Sequence, residues 1–170
     1  MFKIFMFCVC SLVFIGCSKQ NLPLETVDRV NIDKYLGRWY EIARYDHSFE
    51  RGCTNVSALY SLKENGDINV LNKCTKEDGN IKEATGIAYA IDKSNSKLKV
   101  SFFRPFYGDY WILMLDEEYT YALIGEPSRE YLWILSRTKT LNQDKKKKIL
   151  EKIKDTKFDK LKLIWTKQNQ

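Results

Sequence analysis

One histidine, three prolines and no apolar run longer than thirteen residues mark what this 170-residue chain does without. The lone imidazole, His47, rules out a metal site built on several histidines. The longest apolar run, Ile4 to Gly16, is too short to span a bilayer as a permanent helix. No internal repeat and no low-complexity segment breaks the chain. Beyond residue 17 only two cysteines are left, Cys53 and Cys74, so a dense disulfide framework is excluded as well. What is abundant is aromatic side chains, 14% of all residues with ten tyrosines, and together with the few prolines this favours a β-rich fold.

The first sixteen residues carry one charge, Lys3, ahead of the apolar run, which is the pattern of a cleaved signal peptide. The run ends in Val13-Phe14-Ile15-Gly16-Cys17, the form of a lipobox, although Phe14 stands where that pattern usually has leucine. A small residue before the cysteine admits the peptidase, and the Cys17 thiol is where lipid is attached. Three acyl chains anchor firmly, since each buried methylene contributes ~0.8 kcal/mol. Ser18 follows, with no aspartate to retain the protein at an inner membrane, so the expected address is the outer membrane, facing the periplasm. Residues 17–26 then read as a lipidated tether, and what remains suits one domain able to bury a core. The formal charge of +6 lies largely in one C-terminal helix, so no nucleic-acid partner is called for; that lysine face is either solvated or drawn to anionic lipid.

Val30 to Leu36 reads as a helical turn that feeds Gly37-Arg38-Trp39-Tyr40, where glycine lets the backbone leave the turn and the tryptophan points inward. From Trp39 onward, short strand-forming runs are cut by turn chemistry. The predicted strands are Trp39 to Tyr45, a second alternating through Val56, Ala58, Tyr60 and Leu62, Ile68 to Cys74, Lys82 to Ala90, a fifth through Leu98, Val100 and Phe102, Tyr110 to Leu115, Tyr119 to Ile124 and Tyr131 to Arg137. Asn65-Gly66 predicts a two-residue hairpin between the second and third. Eight strands in sequence order make an antiparallel up-and-down meander, which loses both edges by closing into a barrel. Thr140 is expected to cap an amphipathic helix reaching Lys157, with Ile149, Leu150 and Ile153 packed on the barrel's outside, and Leu161 to Trp165 to run as one more strand against the first.

This all-β barrel with an outer C-terminal helix resembles the lipocalins, and in particular the bacterial outer-membrane lipoprotein type related to the apolipoprotein-D-like branch. The resemblance rests on Tyr35 to Arg44, on Phe49-Glu50-Arg51-Gly52, on Ser101 to Gly108 and on Tyr131 to Arg137, and it places the domain over residues 27–170. It implies that Trp39, after Gly37, fills the closed end of the barrel with Arg137 laid across it, and that Asp116 and Tyr119 match the family's middle motif; these are scaffold. It also implies a fatty acid or lysophospholipid as ligand, carried or stored in the envelope by a monomer or homodimer.

Strand alternation turns Val56, Ala58, Tyr60, Leu98, Val100 and Phe102 inward, and Ala88 belongs to a small face, Ala84, Gly86, Ala88 and Ala90, that leaves volume inside if it points inward. Trp133 is either a pocket residue or part of the wall, and the sixth strand, apolar on both faces, has no assignable parity. The cavity expected is apolar, with tyrosine hydroxyls near its mouth, and it needs no cofactor or metal. In an oxidising compartment Cys53 and Cys74 are either bonded or free; an ideal hairpin pairs Glu64 with Asp67 and sets Cys74 opposite Ser57, so a disulfide needs a bulge or a loop that curls back. A Cys53–His47 nucleophilic pair is the one enzymatic arrangement available. Since a disulfide gives Cys53 a simpler use, no catalytic residue is assigned. A structural lipoprotein with a filled barrel is the remaining alternative.

Overall fold

The computed structural model describes residues 23–169, so the expected signal peptide, Cys17 and most of the tether lie outside it. Asn31 accepts a hydrogen bond from the Lys34 amide and starts the short helix α1, Ile32–Tyr35. Gly37, at φ 93°, then turns the chain into β1, Gly37–Arg44. Seven further strands follow in order: β2 Thr54–Leu62, β3 Ile68–Thr75, β4 Ile81–Ala90, β5 Lys97–Phe103, β6 Phe106–Leu115, β7 Tyr121–Gly125 and β8 Leu132–Ser136. Each pairs antiparallel with the next, and β1 pairs with both β2 and β8, which closes the barrel.

The seam is the instructive part of the closure. β1 pairs with β2 only from Gly37 to Tyr40, and above that point the two strands part. The last strand, β9 (Ile164–Trp165), pairs with Ala43 and Arg44 in the gap, and the residues after it stitch both edges. Gln168 donates to the carbonyls of Glu41 and Val56, both at 2.8 Å, and the Asn55 amide donates to the Lys167 carbonyl. The C-terminal segment is therefore built into the wall, although the expected strand from Leu161 is trimmed to two residues.

Several boundaries differ from those read in the sequence, each for a local reason. Pro105 and Gly108 mimic a long turn, yet β6 begins at Phe106: Gly108 pairs with Val100, and Asp109 pairs with Lys99 through a 2.8 Å ion pair. Tyr119 lies outside β7 because it occupies the left-handed region, φ 56°, in the turn before it. The outer helix α2 spans Gln143–Asp155; its cap is Asn142, which accepts from the Lys145 amide, and not Thr140. It ends without glycine: Lys157 takes φ 64°, and the Phe158 amide bonds the Ile153 carbonyl, closing a Schellman-type cap.

The β2–β3 hairpin also departs from the ideal. Its loop is Glu64-Asn65-Gly66, with Gly66 at φ 87° and the Lys63 amide bonded to the Asp67 carbonyl, a three-residue loop. Ser57 therefore faces Lys73, and a bulge holding Asn55 at φ 50° lies between Ser57 and Thr54. That bulge brings Cys53 to Cys74, with Cα atoms 5.4 Å apart, and the two are disulfide-bonded.

Two apolar cores result, one on each side of the wall. Outside, Ile149 and Ile153 of α2 pack with Phe158 and Leu24 on Ile42, Leu113, Tyr121, Leu123, Leu132 and Ile134. Inside, Val30 and Tyr35 of the N-terminal segment pack with Trp39, Tyr60, Val70, Leu98, Ile112, Ile124 and Leu135.

Candidate functional site

The barrel has one sealed end and one open end, and the sealed end is built by Trp39. Its ring is fully buried, and its Nε1 donates to the Tyr35 carbonyl at 2.8 Å. The Arg137 guanidinium lies 3.9 Å from the ring centroid, a cation–π contact as the resemblance implied. It also donates to the carbonyls of Lys34, Tyr35, Leu36, Arg38 and Tyr119, which gives the last turn of α1 the partners a helix end lacks. The Asp116 carboxylate accepts from the amides of Thr120 and Tyr121, and the Tyr119 hydroxyl accepts from the Asn31 amide. Strands, plug and turn are thus locked together at this end.

Three inward tyrosine hydroxyls sit on the floor, away from the mouth where the sequence placed such groups, and at the open end Tyr131 stacks on Trp133. Tyr110 bonds Tyr35 at 2.7 Å and Tyr60 at 3.0 Å, oxygen to oxygen. Burial pushes the Tyr60 hydroxyl up to about 12 and those of Tyr35 and Tyr110 upward too, so the chain of three stays neutral. The strand alternation read from the sequence could not tell which end of each strand is the closed one.

Register fixes what faces inward above the floor. Ile68, Ala88, Val100 and Gly108 form one cross-strand row; Val70 and Gly86 form the next above Ile68 and Ala88, and Asn72 and Ala84 a third. The small face of β4 does point inward, but part of the volume it leaves is taken: a Cβ on Gly86 would lie 2.8 Å from the Phe102 ring, which therefore rests across that glycine. Gly108 is the opposite case, because a Cβ there would meet nothing within 4 Å. Gly108 is itself exposed, so the barrel is open at this height.

The residues singled out in the sequence divide accordingly. Tyr60, Ala88 and Leu98 are buried in the inner core, and Val56 is buried against the disulfide. Ala58, Val100 and Trp133 are half-buried, and Phe102 is 43% exposed, although all four lie on inward faces. Trp133 stands opposite Ile124 and Arg44, which settles its parity as inward. The parity of β6 is settled too, with Gly108, Tyr110 and Ile112 inside.

Sequence reasoning missed a charged cluster at the mouth. Glu41 follows inward Trp39 by alternation, and a bulge between Glu41 and Ala43 turns Arg44 inward as well, which simple alternation cannot show. Arg44 donates to the Glu41 carboxyl at 2.8 Å and to the Glu50 carbonyl at 2.9 Å. His47 Nε2 lies 3.0 Å from Glu50 Oε2, and its ring stacks on Phe49 with centroids 3.8 Å apart. Burial, then the neighbouring Glu50 charge, raises Glu41 to about 8. Burial also opposes the Glu50 charge, but the hydrogen bond and charge of His47, a hydrogen bond from Glu41 and the charge of Arg44 outweigh it and hold Glu50 below the usual range. At neutral pH the cluster therefore holds a protonated Glu41 beside an ionised Glu50. The only available signal was the spacing Glu41, Arg44, His47, Glu50. His47 is committed to Glu50 and Cys53 to Cys74, so the nucleophilic pair is not assembled. Among the described residues no cluster of His, Cys, Asp or Glu could hold a metal ion.

A closed antiparallel barrel, plugged at one end and open at the other, is an architecture suited to holding a small molecule. The sequence pattern of the lipocalin-like domain matches residues 30–168, and the chain belongs to the lipocalin family, in its bacterial outer-membrane lipoprotein branch. It is 47% identical over 158 residues to the outer membrane lipoprotein Blc of Citrobacter freundii, covering 91% of this chain and 89% of that one. To the Blc of Vibrio cholerae it is 44% identical over 163 residues, covering 94% and 95%. Rat apolipoprotein D is 41% identical over 121 residues, covering 65% of this chain and 62% of its own. Among solved structures, insecticyanin from the tobacco hornworm Manduca sexta superposes with a TM-score of 0.71 at 19% identity, covering 87% and 86%. Lobster apocrustacyanin A1 gives 0.68 at 22%, covering 82% and 81%; at these identities the two show the fold.

Proposed function

We propose that this lipocalin, acylated at Cys17 and facing the periplasm, reversibly holds one single-chain acyl lipid, a fatty acid or lysophospholipid, in the upper half of its barrel. The observation that carries the reading is Gly108, an inward residue beside open space. Around it Ala58, Ala84, Val100, Phe102 and Trp133 offer an apolar lining for an acyl chain. Among the described residues the one buried arginine, Arg44, already faces Glu50 at 3.6 Å, so an acidic head group is not needed to neutralise it and stays in water at the mouth. The reading assigns no catalysis. Native mass spectrometry of delipidated protein, reloaded with each lipid class in turn, tests it: retention of one acyl ligand per chain is expected, and failure to retain any would sink it.

A further inference from the structure

The lysines are not spread over the molecule. Between residues 143 and 167 ten lysines face four acidic residues, a net +6 that equals the formal charge of the whole chain, so the remainder is balanced. Lys147, Lys148, Lys154, Lys157, Lys160 and Lys162 are all exposed. Set among them are three large apolar side chains that the fold leaves in solvent: Leu161 at 86%, Trp165 at 44% and Ile164 at 41% exposed. The ammonium group of Lys146 on the first turns of α2 lies 3.8 Å from the Trp165 ring, so helix and tail form one surface. A groove of about 670 Å³, bounded by Tyr45, Lys157, Phe158, Lys162 and Ile164 among others, opens on the same side.

A second observation concerns where the N-terminal segment enters the fold. Leu24 is buried in the layer between the barrel wall and α2. From Cys17 to Pro23 the chain can reach at most about 21 Å, so an anchor at Cys17 holds this side of the barrel next to the leaflet.

We infer that the α2 face, with Leu161, Ile164 and Trp165, docks on an anionic phospholipid surface. Lysines meet the head groups, while the three apolar side chains enter the interface. This surface borders the opening on the β1–β8 side, since Ile164 pairs with Arg44 and the groove reaches Asp46, Ser128 and Glu130, while the β4 rim with Ile81 lies across the barrel from it. The inference rests on the lipid-anchored reading proposed above.

The test uses the full lipoprotein reconstituted in vesicles, with an environment-sensitive fluorophore on Leu161→Cys or, as control at the mouth, on Ile81→Cys, which is 70% exposed. With phosphatidylcholine–phosphatidylglycerol vesicles the label at 161 is expected to shift to the blue and to be quenched by brominated lipid, while the label at 81 stays in water. The shift is expected to vanish in molar salt and in the triple variant Lys157→Glu, Lys160→Glu, Lys162→Glu, whose attraction to the surface falls by roughly a hundredfold or more. Equal exposure of the 161 label in pure phosphatidylcholine and in the mixed vesicles, or shielding of the 81 label instead, overturns the inference. The mass of the same sample reports acylation of Cys17, so loss of the anchor and loss of the surface are told apart.

Discussion

The two ends of the barrel treat their inward polar groups differently. At the closed end each finds a partner within the scaffold: the Trp39 indole and the Arg137 guanidinium go to backbone carbonyls, and three tyrosine hydroxyls bond one another. At the open end Glu41, Arg44, His47 and Glu50 form a titratable cluster beside half-buried apolar residues. The glycines repeat the contrast, with Gly86 covered by Phe102 and Gly108 facing open space. One end is a stopper that stabilises; the other trades packing for room.

That division can be broken most strongly from below. Trp39→Ala removes the plug and is expected to lower unfolding free energy by roughly 3–5 kcal/mol, read from urea denaturation, while the folded fraction still binds lipid. Reduction of Cys53–Cys74 is expected to cost about 2–4 kcal/mol, because the bond closes the β2–β3 hairpin at its open-end side and the unfolded chain regains its freedom; thermal melts with and without reductant measure it.

Glu41 gives a pH test at the mouth. Folded, it keeps its proton up to about 8, whereas unfolded it loses it near the ordinary 4.5. Between those values the folded state binds the extra proton, so stability falls as pH rises and levels off above about 8. Glu50, held below its usual range, works the other way and loses its contribution only on acidification. Glu41→Gln is therefore expected to flatten the decline between about pH 5 and pH 8, compared by melting curves of the two proteins. A decline of equal size in the variant would move its origin away from the mouth.

Much of the scaffold was legible because it is written in local chemistry. The resemblance marked Gly37, Trp39 and Arg137 as the closed end, and alternation through Val56, Ala58 and Tyr60 or Leu98 and Val100 gave the inward faces. What escaped depends on the partner strand. The β1 bulge that turns Arg44 inward exists only against β8, and the β2 bulge that joins the cysteines only against β3. Helix α2 stops at a lysine in the left-handed region, a position where glycine is the usual signal. Tyr60 was assigned to the right face but its hydroxyl lies at the floor with those of Tyr35 and Tyr110, since height in a barrel follows from shear and not from sequence spacing.

The smallest expected change in stability belongs to the most decisive measurement. Gly108→Trp adds a ring where a Cβ meets nothing within 4 Å and φ does not demand glycine. Titration of a fluorescent fatty acid into wild type and variant should show one site per chain in the first and none in the second, with melting temperatures that agree within the equivalent of about 1 kcal/mol. Unchanged binding in a folded Gly108→Trp protein would contradict the assignment of the ligand to the open half of the barrel.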